Sequence, residues 1–576
     1  MKKLNIIAIA LLTVFIATSC SESLLDIPQK GIVPMSDFYQ TEEDAESSVV
    51  ALYYTLGRAL ARPSSGGSFQ YSPYTVLYNL PSDDIYGAGS HRGDNEFLAQ
   101  INEFRHATDN EVVRNMYQGL YRGIYAANLV IINYADMEAS STKIARCVAE
   151  ARAWRAWCHM MLGIGWGTPP IITTLLTGSE QPENSNKEEL WNWIIEEFTA
   201  AAPLLPSRAS VSDKDGAVRL TKEAAYAFMG KAQVQCGKYA EAAQNLKNNV
   251  INSGKYALVS GAEMFDLFHM DGNGSSEKVF EFNVQQNPNV SFFNTIATWQ
   301  QNSVWNWRAD KFASVPSSIF GGGWGGCNPS RDFAEALIAN DGIDSYRRKA
   351  WFLTYDEVLY GQPYTSDVDE DGNPLTQAQK ETDKNRGISS GTGLYGHAGY
   401  FTWKILRMAR ERWTNWDAFN NNYVIMRYAE VLLLYAEACV QSGTDLAGGL
   451  EALNSIQRRA GSNYISPALT LEDVKNEKRF EMWLEGTRWA DLVRWGDAAS
   501  KLATNGANVP SFLDLMGKEH PETGVMVTKH TGYVTPEGST HKGGDYGFKA
   551  NKHELFPFPF NEIMRNAALV QNPGWE

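Results

Sequence analysis

The chain has 576 residues, 44% hydrophobic and 20% charged, a balance that sustains large buried cores and excludes the composition of intrinsic disorder. Its 51 basic residues against 66 acidic ones give a formal charge of -15. Long-range electrostatics therefore repel phosphate backbones, and nucleic acid is excluded as an expected partner.

Residues 1–19 read MKKLNIIAIALLTVFIATS, with Lys2 and Lys3 ahead of an apolar run from Leu4 to Ala17 and small residues before Cys20. This is the pattern of a secretory signal, and its apolar run is shorter than the roughly 20 residues of a membrane span. A cysteine directly after the cleavage region looks like a bacterial lipoprotein signal, so Cys20 is the expected lipid anchor. Cleavage removes two lysines and no acid, making the mature chain more acidic still. Cys147, Cys158, Cys236, Cys327 and Cys439 are left, an odd number without CxxC spacing. They read as free thiols, mostly on buried helix faces.

Helical periodicity dominates a first block. It opens at residues 41–62 with a capping-box pattern of Thr41 and Asp44, and continues at 111–137, at 140–163 and at 187–203 behind Asn186 as N-cap. Next comes TKEAAYAFMGKAQVQCGKYAEAAQNLKNNV, where Ala225, Met229, Ala232 and Cys236 share one helical face and Tyr239, Ala242, Ala243 and Leu246 another. Gly237 separates the two faces, and the small side chains at Gly230, Ala232 and Ala242 suit a close antiparallel approach, the mark of a tetratricopeptide-like helix pair. A second copy, RYAEVLLLYAEACVQSGTDLAGGLEALNSIQRRAG, puts Ala436 and Gly443 in the places of Gly230 and Gly237. One such pair cannot cover its own apolar face, so the expected fold is mainly α: a solenoid of stacked helix pairs. The helical scaffold is expected over about 36–255 and 421–496. Across about 256–420 and 497–556 the helical period fades, and these read as long irregular insertions with short strands such as KVFEFNV at 278–284.

Several strings together resemble the SusD/RagB family of outer-membrane lipoproteins. They are LLDIPQKG after the signal, EARAWRAWCHMMLGIGWGTPPIIT, RYAEVLLLYAEA, LNSIQRRAG, EKRFEMWLEGTRWADLVRWG and the terminal FPFPFNEIMRNAALVQNPGW. The resemblance implies a single domain over residues 20–576, anchored at the outer membrane and exposed at the cell surface. It also implies a SusC-like TonB-dependent transporter as partner and a glycan as ligand, captured without catalysis. The family includes apparent peptide receptors, so a peptide or protein ligand on the concave solenoid face is the alternative.

A sugar site needs flat aromatic faces for C–H surfaces and a few polar groups for hydroxyls. The first insertion offers Trp299, Trp305 and Trp307, with Arg308 adjacent, and then Trp324 in GGGWGG; the loop at about 64–96 offers Tyr71, Tyr74, Tyr78, Tyr86, Arg92 and Asn95. Trp299, Trp305, Trp307, Trp324, Tyr86, Arg92 and Asn95 are the predicted ligand residues. Asp367, Asp369 and Asp371 alternate as in the first half of a calcium loop, but Ala378 stands where the twelfth-position acid belongs. A solvated acidic turn is the first reading and structural calcium the alternative; no other cofactor is expected. The GxGxxG matches at 321 and 391 follow no strand of a βαβ unit and carry no nucleotide prediction. Glu481 and Glu485 are spaced as a glycosidase pair could be, yet Arg479, Arg488 and Arg494 lie close in sequence, so buried ion pairs are expected instead of catalysis.

Overall fold

The computed structural model describes residues 37–61, 71–87, 89–284, 307–312, 315, 320, 323–361, 368, 371–383, 386–389, 393–412, 419–535 and 545–576. Long helices appear where the apolar period places them. Glu42–Ala61 packs on Glu111–Tyr134, which packs on Thr142–Trp166, then Lys187–Ala201, Lys222–Gln235, Tyr239–Asn245, Tyr428–Ser442 and Leu446–Ala460 in turn. Each helix covers a stripe its neighbour leaves bare, so the stack is continuous although an insertion interrupts it in sequence. No helix among the described residues is long and apolar enough to cross a membrane.

The caps explain the helix starts. The Asp44 amide donates to Thr41 Oγ1 at 3.1 Å while the Thr41 amide donates to the Asp44 carboxylate at 3.0 Å. Asn186 Oδ1 accepts from the Glu188 and Glu189 amides, and Asn110 serves Val112 and Val113 in the same way. Thr142–Trp166 is buried over most of its surface, and its Arg155 bonds Glu197 at 2.6 Å and Asn128 at 2.8 Å. An arginine inside a core is tolerable only with such partners.

Both helix pairs turn on glycines that take positive φ, +79° at Gly237 and +71° at Gly443. At Gly230 the helices approach so closely that an added Cβ would stand 2.2 Å from Leu246 Cδ2. Gly230→Ala is therefore expected to destabilise the protein by about 1–3 kcal/mol through overpacking, despite alanine's better helix propensity. A urea titration followed by circular dichroism measures the loss; an unchanged midpoint would refute the close approach.

Seven short strands occur among the described residues: β1 Lys278–Phe282, β2 Phe352–Thr354, β3 Leu394–Tyr395, β4 Tyr400–Thr402, β5 Tyr423–Arg427, β6 Ser511–Asp514 and β7 Gly532–Val534. β1 pairs antiparallel with β5, β2 with β4, and β3, β6 and β7 form a three-stranded antiparallel sheet. The first insertion also holds helices that sequence periodicity does not reveal: Arg331–Asp341, Tyr346–Trp351, Tyr355–Tyr360 and Gln377–Thr382. They run from 6 to 11 residues, too short for a repeating apolar stripe, and start on side-chain caps at Ser330, Ser345, Thr354 and Thr376. The five cysteines among the described residues are free, four of them buried and Cys236 half-buried.

The segment Phe556–Trp575 covers the C-terminal end of the helix Thr142–Trp166. The Phe556 amide donates to Gly165 O at 2.8 Å, Trp166 Nε1 donates to Pro557 O at 2.8 Å, and Asn572 Nδ2 donates to both Trp166 O and Phe556 O.

Candidate ligand-binding face

The predicted ligand loops converge at one end of the insertions. Ile85 bridges Pro329, the Tyr86 amide donates to Asn328 O at 3.1 Å, and the Arg331 amide donates to the Tyr86 hydroxyl at 3.3 Å. Asn328 Nδ2 donates to Gly325 O and Gly396 O, drawing a third segment, residues 393–397, into the same place. Gly325 has a φ of +83°, and a Cβ there would lie 3.1 Å from Arg308 Cγ and 3.9 Å from Gly89 O. A cavity of about 160 Å³ opens between Gly89, Ser90, Arg308, Lys311, Tyr395 and His397. Trp324, next to Gly325, is 45% exposed, an unusual state for so large an aromatic residue.

The floor of this face is aromatic. Trp307 is wholly buried, its ring centroid 5.1 Å from those of Phe320 and Phe401 and 5.5 Å from that of Phe312. As placed, it offers no face to a ligand: the prediction for Trp307 is corrected to a core role, because the insertion builds its own hydrophobic cluster with Trp403 and Phe512. Trp299 and Trp305 lie outside the described residues.

Arg92 is also turned to the frame. Its guanidinium meets Glu103 at 2.6 Å and donates to Gly506 O, because the Glu103 carboxylate is nearly buried and needs a cation. Asn95 bonds the Tyr71 hydroxyl, and Tyr74 and Tyr78 are buried. Burial holds the neighbouring His397 at about pKa 3, and its Nδ1 accepts from the Gly399 amide at 3.2 Å, so the ring is neutral. Arg308 forms two bonds of 2.7 Å to Asp310, leaving the cavity with little net charge beyond Lys311.

Sequence reasoning missed the 393–397 wall, although GTGLYGHAGY announced it. Gly393, Gly396 and Gly399 all take positive φ, and a Cβ at Gly393 would meet Phe512 O at 2.7 Å. The glycines allow β3 to lie tightly on β6. Of the calcium candidates, Asp367 and Asp369 lie outside the described residues; Asp371 is exposed in a turn closed by the Val368–Pro374 bridge.

Glu481 and Glu485 sit in a buried ion network, as expected, but with other partners. Arg479 pairs with Asp84 at 2.6 Å, Arg488 with Asp83 at 2.8 Å, and Arg494 with Glu437 and Asp491. Glu481 instead receives Arg459 at 2.5 Å, Arg427 at 3.1 Å and Arg347 at 3.3 Å. Burial alone would raise its carboxyl; Arg459, Arg427 and Arg347 outweigh that and hold it at about 2. Glu485 bonds Arg427 Nε at 2.7 Å and Lys404 Nζ at 2.6 Å.

A second, larger cavity of about 910 Å³ lies between the helices Glu42–Ala61 and Glu111–Tyr134 and the segments 170–182 and 562–569. Tyr117, Tyr121, Tyr125, Leu129 and Leu176 give it a mostly apolar lining.

The sequence profile of the SusD family matches residues 225–575. The chain belongs to the SusD family. A second profile, described as starch-binding and associating with the outer membrane, matches residues 76–233. SusD-like protein P2 of Formosa agariphila is 24% identical to this member over 100% of both chains, and a SusD-like protein of Bacteroides ovatus is 24% identical over 97% of this chain and 96% of its own. Among solved structures, surface glycan-binding protein A from Bacteroides fluxus superposes with a TM-score of 0.67 at 22% identity, covering 93% of this chain and 99% of its own. Surface glycan-binding protein A from Bacteroides thetaiotaomicron in complex with laminarihexaose gives 0.66 at 20% identity, covering 92% and 99%. At these identities the likeness establishes the SusD fold, with its helical stack.

Proposed function

We propose that this SusD-family protein captures glycan at the cell surface and delivers it to a TonB-dependent outer-membrane transporter, without making or breaking bonds. The observation that carries the reading is the half-exposed Trp324, set beside a polar cavity on an aromatic floor where three loops converge. An indole presented on a braced loop can stack on a sugar ring, and bracing lowers the ordering cost of binding. Support also comes from the comparisons: the profile that matches residues 76–233 is described as starch-binding and associating with the outer membrane, and one structural neighbour as a laminarin binding SusD-like protein. Residues 20–576 would form the mature unit, held by acyl chains on Cys20; two or more chains are needed for stable anchoring.

Affinity electrophoresis against a polysaccharide panel that includes laminarin tests the reading. One polymer is expected to retard the protein, and Trp324→Ala to weaken that binding by about tenfold or more, the scale of one lost aromatic platform. Wild-type retardation of Trp324→Ala on the cognate polymer would refute the site, and retardation by no polymer would refute glycan capture.

The large apolar cavity favours a second reading, a peptide receptor, since its lining suits side chains better than hydroxyls. Isothermal titration that shows peptide binding, with no polysaccharide bound, would select it.

A further inference from the structure

We propose that His530 is a positioning residue of the ligand face, an imidazolium that clasps both walls of the cavity beside Trp324 and loosens them when it loses its proton. The proposal rests on the ligand-binding reading above and adds to it a pH dependence and the residue responsible.

His530 Nδ1 lies 2.5 Å from Asp514 Oδ2 and its Nε2 lies 2.8 Å from Asp383 O. A carboxylate and a carbonyl only accept hydrogen bonds, so both ring nitrogens must donate, which a neutral imidazole cannot do. The ring is fully covered, so solvent cannot replace either partner. Asp514 is held in its ionised form by further bonds from the Met516 amide at 3.0 Å and the Thr531 amide at 3.3 Å. The Asp383 carboxylate also favours the imidazolium, while Lys518 Nζ donates to Asp514 O, Lys529 pairs with Glu381 at 2.6 Å, and Arg386 donates to Leu359 O.

The cluster sits where the two walls meet. A Cβ on Gly387 would stand 1.7 Å from Asp514 Oδ2 and 2.6 Å from His530 Nδ1, so this segment lies directly on the clasp. The next residue, Ile388, bridges Phe312, and the Ser389 amide donates to Lys311 O at 2.8 Å, fixing the wall that carries Arg308 and Lys311. On the other side Asp514 ends β6, whose partner β3 supplies Leu394 and Tyr395 to the cavity.

Although burial opposes it, the bonds to Asp514 and Asp383 raise the His530 pKa above its ordinary value. The clasp is therefore complete below the ordinary histidine range and is lost as pH rises through the raised value.

Nitrogen-15 NMR of histidine-labelled protein, with His530→Gln assigning the signal, is expected to show both His530 nitrogens protonated at pH 7. A neutral ring at pH 7 would overturn the proposal whether or not any glycan binds. In affinity electrophoresis on the cognate polymer, wild-type binding should weaken by about fivefold between pH 6 and the alkaline end of the titration, the scale of one lost hydrogen bond, while His530→Gln shows no such step. Affinity that stays flat while His530 titrates overturns the positioning role. If no polymer binds, the ligand reading fails, and protection of the Ser389 amide decides instead: a loss of protection that follows His530 deprotonation supports the clasp, and constant protection overturns it.

Discussion

Acidification from neutral pH to about pH 4 is expected to unfold the protein cooperatively, with loss of helical circular dichroism well before most carboxylates are protonated. Burial holds His106, His159, His397 and His553 at about pKa 3. Geometry agrees for three of them, because a ring nitrogen that accepts from a backbone amide carries no proton. His159 Nε2 accepts from Ile172, His397 Nδ1 from Gly399, and His553 Nδ1 from Lys549. The folded values lie below the unfolded value of about 6.5, so the unfolded chain binds more protons, and stability falls with pH from 6.5 towards 3. At pH 4 each histidine costs about 3 kcal/mol by this linkage. The rings of His106 and His553 lie 5.6 Å apart and count together. Three such contributions rival the whole stability of a typical domain, about 5–15 kcal/mol. Asp84, Glu281 and Glu477, raised by burial, and the His530 imidazolium work the other way but are fewer than the histidines and low-lying carboxylates such as Glu481 together. A protein that melts at pH 4 within a few degrees of its neutral midpoint would contradict this account.

Glu481→Ala is expected to cost about 3–5 kcal/mol, the range for removing one partner of a buried ion pair. The network it anchors joins parts of the chain distant in sequence. Arg427 ends β5 and also reaches Glu277, just before β1; Arg459 bonds Glu277 from Leu446–Ala460; Arg347 meets Asp341 at 2.7 Å, and Glu477. Deleting Glu481 takes one partner each from Arg427, Arg459 and Arg347 in a dry interior and leaves Arg459 with Glu277 alone. Glu481→Gln should be milder, since it keeps the shape and one acceptor oxygen. Urea unfolding measures both, and an alanine variant as stable as wild type would show that the network adds nothing to the fold.

The solenoid was legible because its helices are long enough to repeat an apolar stripe three or four times and because their turns need glycine at fixed places. Gly230 and Gly237 carried more information than any of the aromatics. The candidate ligand face was legible only as two loops. Trp324 and Trp307 look alike in a linear reading, and only the cluster of Phe312, Phe320 and Phe401 decides which indole is covered. Arg92 looked like a ligand group for the same reason: Glu103 lies 11 positions away, and nothing local says that the intervening helix folds back. The ion pairs of Glu481 and Glu485 were foreseen as a kind but not by partner. The neighbouring arginines in sequence serve Asp83, Asp84 and Glu437, while the residues that reach Glu481 come from three separate elements.

The tie between Trp166 and Asn572 spans 406 positions of sequence, and it sets a timetable for assembly. The third long helix cannot finish covering its end until residues 556–575 have been made, so native closure there must wait for that segment. Until then Trp166 and its neighbours stay open to other partners.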